Sequence, residues 1–148
     1  PEATKRINQM DIMTETKRLL LSVQPLLNNE VLDEIHGNCF ITSYDKFPGL
    51  LGDCPIIEKA NTDFKTLGDF IFPLSTTETL ICKRGAQRYI SNPLFYFQKD
   101  LTIFHLSEKY VACKDRSHLE NVSKTYTTLA NENNTHLLQE YAFEFVAR

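Results

Sequence analysis

The chain has 148 residues, 42% hydrophobic and 24% charged, with a formal net charge of −3. That length supports one core and not two. A net negative charge excludes nucleic-acid binding by bulk charge and leaves only a local basic patch, so nucleic acid is a possible but not a favoured partner. No apolar run approaches the roughly 20 residues needed to cross a bilayer, so no membrane partner is expected.

Residues 4–24 have the spacing of a helix, with Ile7, Met10 and Met13 continued by Leu20, Val23 and Leu27. Pro25 ends or kinks it. A second short helix is expected over 28–36, capped by Asn28 or Asn29 and closed by Gly37. Residues 38–43 are rich in β-formers and predict a strand. Residues 45–68 carry Pro48, Gly49, Gly52, Pro55 and Gly68 and predict a long irregular loop, with room for a short strand at 55–58.

An apolar run follows at 70–75, stopped by Pro73, and a strand is expected over 79–83. Arg84-Gly85-Ala86 and Asn92-Pro93 predict turns. Residues 94–97 and 101–106 are expected as two strands or one broken ribbon. Residues 117–138 return to helical spacing, opened by a capping-box match at Ser117 and Glu120 and open to interruption at Asn131–Asn134. The alternation of residues 142–146 suggests a last strand. Helices, strands, helix and strand in that order predict an α+β fold, a mostly antiparallel sheet with helices packed on one side.

Several clusters carry candidate chemistry. Thr42, Ser43 and Asp45 follow a hydrophobic strand, where the strand fixes polar groups and the loop exposes them, as a ligand pocket needs. A turn that satisfies its own backbone is the plainer account. Cys113, Asp115 and His118 collect a thiol, a carboxylate and an imidazole beside a helix start, and with His36 and Cys39 could complete a zinc site. A solvated loop is the simpler expectation, and no metal is assigned. His105 sits on the same expected strand face as Leu101 and Ile103, and His136 and Glu140 share a helical face. Lys83, Arg84 and Arg88 lie near Tyr89, Phe95 and Tyr96, a basic and aromatic mixture that can bind single strands, although a solvated hairpin tip is simpler.

The four cysteines, at 39, 54, 82 and 113, contain no Cys-x-x-Cys; their even count leaves two disulfides open, but a chain this long does not need them, and reduced, partly buried thiols are the expectation. Asn121-Val-Ser and Asn133-Asn-Thr match the glycosylation pattern, which has meaning only in a secreted chain. The charged first 18 residues do not resemble a secretory leader, so a soluble cytoplasmic protein is expected. The start at Pro1 suggests the C-terminal part of a longer protein. No nucleophile elbow, Walker loop, dinucleotide fingerprint or His-Glu-x-x-His is present, so neither an activity nor a cofactor can be named.

Phe40-Ile-Thr-Ser43, Phe72-Pro-Leu-Ser75 leading into Leu80-Ile81, and an Asn-containing helix running into Tyr141-Ala-Phe-Glu-Phe-Val146 resemble an uncharacterised microbial family, domain-of-unknown-function family four-two-three-eight. The resemblance covers about residues 38–147. It departs where this chain places Tyr44, Asp45, Lys46 and Phe47 between Ser43 and Pro48. It implies site residues at Thr42, Ser43, Asp45 and Asn134, and a His-Tyr-containing phrase further upstream. It implies no activity. The leading expectation is thus a binding or regulatory domain with a polar pocket at a strand end. The alternatives are part of a nuclease-like hydrolase completed upstream, and a protein-interaction module using the 45–68 loop or a sheet edge.

Overall fold

The structure, a computed structural model, describes residues 38–59, 69–86 and 89–146. The helices expected over 4–24 and 28–36 lie outside the described residues. The first described element is the expected strand, β1 (Cys39–Ser43). Two short strands follow inside the segment read as loop, β2 (Leu51–Gly52) and β3 (Ile57–Glu58), and then β4 (Phe70–Pro73) and β5 (Glu78–Cys82). The main sheet has the order β1-β5-β4-β3 and every pairing is antiparallel. The α+β class expected from the element order is the class observed.

Period-two alternation decides which side of this sheet is buried. Ile57 faces Ile71 and Ile71 faces Ile81 across the strands, and all three are fully buried. Ile41 on β1 points the other way and is 56% exposed. The β4–β5 turn is closed by Ser75, whose Oγ accepts from the Thr77 and Glu78 N–H groups.

The segment expected as two strands is one helix, α1 (Pro93–Leu106). Asn92-Pro93 is its start and not a turn: Asn92 Oδ1 accepts from the Leu94 N–H at 3.0 Å, and proline occupies the first helical position. Short apolar runs rich in aromatics fit a strand or a buried helix equally well. Burial decided for the helix, because Phe95, Tyr96, Leu101 and Ile103 are all inside one cluster with the sheet isoleucines.

β6 (Val111–Ala112) pairs with β2 in a separate ribbon that lies close to α1. Gly52 of that ribbon packs on Ser107 and Ile103 with no space for a Cβ. α2 (Arg116–Asn131) is capped by Asp115, whose Oδ1 accepts from the Ser117 and His118 N–H groups. The capping box expected at Ser117 and Glu120 is therefore not formed: the cap is Asp115, two residues earlier, and Glu120 pairs with Arg116. The expected interruption falls at Asn133, which takes φ +56° while Asn134 N–H donates to Leu129 O and Asn133 N–H to Ala130 O, a Schellman closure.

A single 3₁₀ turn (Thr135–Leu137) leads into α3 (Leu138–Glu144). The strand expected over 142–146 is absent. Leu138, Ala142, Phe143 and Val146 are buried at helical spacing, and that stripe outweighs the local alternation. None of the described helices is long and apolar enough to cross a membrane.

Candidate functional site: a buried Lys-Asp-His cluster under a small polar pocket

α1 is apolar on most of its surface, yet its middle carries two adjacent charges that are both buried. Lys99 is 2% exposed and Asp100 is fully buried. Isolated, either charge would be very costly to bury, so the surrounding partners matter. Asp100 Oδ1 accepts from Lys99 Nζ at 2.9 Å and from the Leu50 N–H at 3.0 Å. Asp100 Oδ2 lies 2.6 Å from His118 Nε2. The carboxylate is acceptor-only, so Nε2 carries the proton in that bond.

Three elements converge here: the middle of α1, the first turn of α2 and the loop after β1. The His118 ring lies against Phe47, with centroids 4.5 Å apart, and the Phe97 edge also approaches it. Gly49 permits the approach of the loop, because a Cβ there would stand 2.7 Å from Lys99 Nζ. Gly49 N–H donates to Thr76 O at 2.7 Å, and Tyr44 N–H donates to Thr77 O at 2.8 Å. The β1–β2 loop and the β4–β5 turn are thereby laced together.

Between them opens a small pocket. Tyr44, Phe47 and Gly49 line it from the loop, Thr76, Thr77 and Thr79 from the hairpin, and Tyr96 and Lys99 from α1. Its space of about 10 Å³ fits about one water-sized atom. Thr79 is 2% exposed and its hydroxyl makes no hydrogen bond among the described residues. No fully enclosed side-chain oxygen or nitrogen among the described residues lacks a partner, so this hydroxyl is not sealed off, and Thr79 lines the pocket. Tyr96 is held from behind: its hydroxyl donates to Ile90 O at 2.6 Å and lies 2.8 Å from Thr42 Oγ1. Burial raises the Tyr96 pKa, against a smaller lowering by the Thr42 hydrogen bond.

Of the expected site residues, Thr42 is 1% exposed and braces Tyr96. Ser43 and Asp45 are exposed on either side of Tyr44. Asn134 is also exposed and lies past the C-terminal end of α2, while His118 is on its first turn. Sixteen helical residues span about 24 Å, so Asn134 is remote from this cluster. Lys99, Asp100 and Thr79 were not singled out by sequence. The available signal was an adjacent Lys-Asp pair inside an aromatic run.

The cysteines depart from expectation. Cys39 and Cys82 are register partners on β1 and β5 and form a disulfide, so they are not reduced thiols. That also removes Cys39 from the zinc set, and among the described residues no group of three or more His, Cys, Asp or Glu is placed to hold a metal. Cys113 is partly buried, and its thiol donates to Pro48 O at 3.4 Å. Burial pushes its pKa up, with Asp100 adding to the rise. A nucleophilic cysteine needs the opposite shift, so this one suits packing better than attack.

His105 is on α1, its Nδ1 lying 3.0 Å from the Tyr126 hydroxyl. His136 Nδ1 donates to Asn133 O. In the basic cluster Lys83 pairs with Asp69, and Phe95 and Tyr96 are core residues unavailable for base stacking. No protein-family model matches the chain, and no curated protein or solved structure matches it.

Proposed function

We propose that this domain binds a small molecule in the pocket at the end of β1. The observation that supports this is that two buried polar residues, Lys99 with its ammonium and Thr79 with its hydroxyl, line the same opening. Natural cores rarely hold polar groups that are left partly unsatisfied, and pockets with a few convergent polar groups are the default binding sites. Thr42 enters the proposal as the brace behind Tyr96, and Ser43 and Asp45 as neighbours of the rim. Asn134 has no part in it.

The test is a titration of the isotope-labelled chain with a panel of small polar fragments, followed by NMR. Saturable shifts clustered on Tyr44, Thr77 and Thr79 are expected. Fragments that all map elsewhere, or that shift nothing, would sink the reading. A bulky Thr77→Trp variant, altered at an exposed rim position, is expected to stay folded and lose those shifts.

A second reading, a protein-interaction module, is favoured by Ile41. It is exposed on a sheet-edge strand that carries no charge and no proline to deter pairing. Sedimentation at rising concentration checks it, and an invariant monomer mass would count against self-pairing. The Cys39–Cys82 bridge favours an oxidising compartment over the cytoplasm. Alkylation of the chain taken directly from its native source decides this, because free Cys39 and Cys82 would return the cytoplasm as the better account.

A further inference from the structure

We propose that the ligand of this pocket is anionic, and that it inserts one oxygen of a carboxylate or phosphate group between Lys99 Nζ and Thr79 Oγ1. The proposal rests on the pocket being a binding site and adds the chemical class of its occupant.

The first argument is charge. No carboxylate lines the opening, and the one cationic group that does is Lys99. Asp100 offsets that charge overall, but from behind: its two oxygens are occupied by Lys99, Leu50 N–H and His118, and it is not part of the lining. An ammonium has three donors, and Lys99 spends one on Asp100. Two remain for the pocket. A cationic ligand is repelled there, and a neutral one forgoes the charge-assisted bond.

The second argument is donor count. Thr79 supplies a hydroxyl with no partner among the described residues. An oxyanion accepts from several donors at once, which matches a site where ammonium and hydroxyl donors converge. The third is size. Space for about one water-sized atom admits a single oxygen and not a whole group. The rest of the ligand must stay at the mouth, where Tyr44 stacks on Tyr96 at 4.2 Å and meets Phe47 edge-on at 5.0 Å. That aromatic rim suits an apolar or planar body attached to the anionic group.

The experiment titrates the full chain with acetate, inorganic phosphate and acetamide at fixed ionic strength, following the Tyr44, Thr77 and Thr79 amides by NMR. Acetate or phosphate is expected to give saturable shifts at least about tenfold tighter than acetamide, the neutral isostere of acetate. Which of the two anions is tighter identifies the carboxylate or the phosphate source. Thr79→Val is nearly isosteric, keeps the fold, and should weaken the anion about tenfold. Lys99→Met should abolish the preference for anions.

Acetamide binding as tightly as the tighter of the two anions would overturn the proposal while leaving a pocket that binds neutral ligands. Anion shifts unchanged in Thr79→Val would overturn it as well. No saturable shift from any of the three probes also overturns it, and the fragment panel then decides separately whether the pocket binds anything.

Discussion

Asp100 is the residue on which the site turns. Its carboxylate receives three donors from three separate segments, and it is fully buried. Removing it strands Lys99 in the core without a counter-ion. Asp100→Ala is therefore expected to cost about 3–5 kcal/mol, read as a fall in the urea midpoint. Replacing both charges by Lys99→Met with Asp100→Leu should recover much of that loss. Tyr96→Phe deletes a hydroxyl that bonds Ile90 O and Thr42, at a cost of about 1 kcal/mol.

The same hydroxyl carries a pH signature. Its folded pKa is raised above 10.0 by burial, so its stabilising effect is complete below the unfolded value and is lost as pH climbs through the folded one. Wild type should lose stability above pH 10 more steeply than Tyr96→Phe, a difference visible in parallel denaturation series. Lys99 and Asp100 did not stand out in the sequence, and Tyr96 did so only as part of a basic and aromatic mixture. A charge inside an aromatic run reads as a solvated position until the fold surrounds it, whereas Thr42 was legible because a strand end is a place where polar groups gather.

Among the elements, α1 was the least legible and is the most consequential. Its residues form neither a clean amphipathic stripe nor an alternation, because a central helix is covered on most sides. The informative signal was at its start, where Asn92 followed by Pro93 is as good a helix opening as a turn. Asn92→Ala removes the bond to the Leu94 N–H and should cost about 1 kcal/mol. β1 and β5 were legible as strands because their composition favours a pleated, half-buried position, whereas β4 showed only as a short apolar run and its turn into β5 was not read. The end of α2 was legible because asparagine tolerates the left-handed conformation that the closure requires.

At the scale of the molecule, one core joins sheet and helices among the described residues, and the Cys39–Cys82 bridge ties the edge strand into it across a sequence separation of 43 residues. Closing a loop of that size restricts the unfolded chain by an amount worth about 4 kcal/mol in the chain-entropy treatment. The double variant Cys39→Ala with Cys82→Ala is expected to lower stability by up to that amount in a denaturant titration, and a dithiol reductant should reproduce the shift in wild type. No spacing in the sequence selected this pair, because disulfide connectivity depends on which strands become neighbours. The order of elements did carry the fold class, since helices and strands segregated along the chain do not form an alternating parallel sheet.

The two backbone bonds that lace the β1–β2 loop to the β4–β5 turn, Tyr44 N–H to Thr77 O and Gly49 N–H to Thr76 O, bear on timing rather than on affinity. They make the two rims a single moving part. An occupant no thicker than one oxygen can slip past them while they stay closed, whereas anything broader must wait for both to break. Hydrogen exchange at the Tyr44 and Gly49 amides, measured at a pH high enough that every opening leads to exchange, therefore sets a clock for the larger guests. A ligand whose arrival keeps pace with that exchange enters by opening the mouth, and one that outruns it enters through a door that never moves.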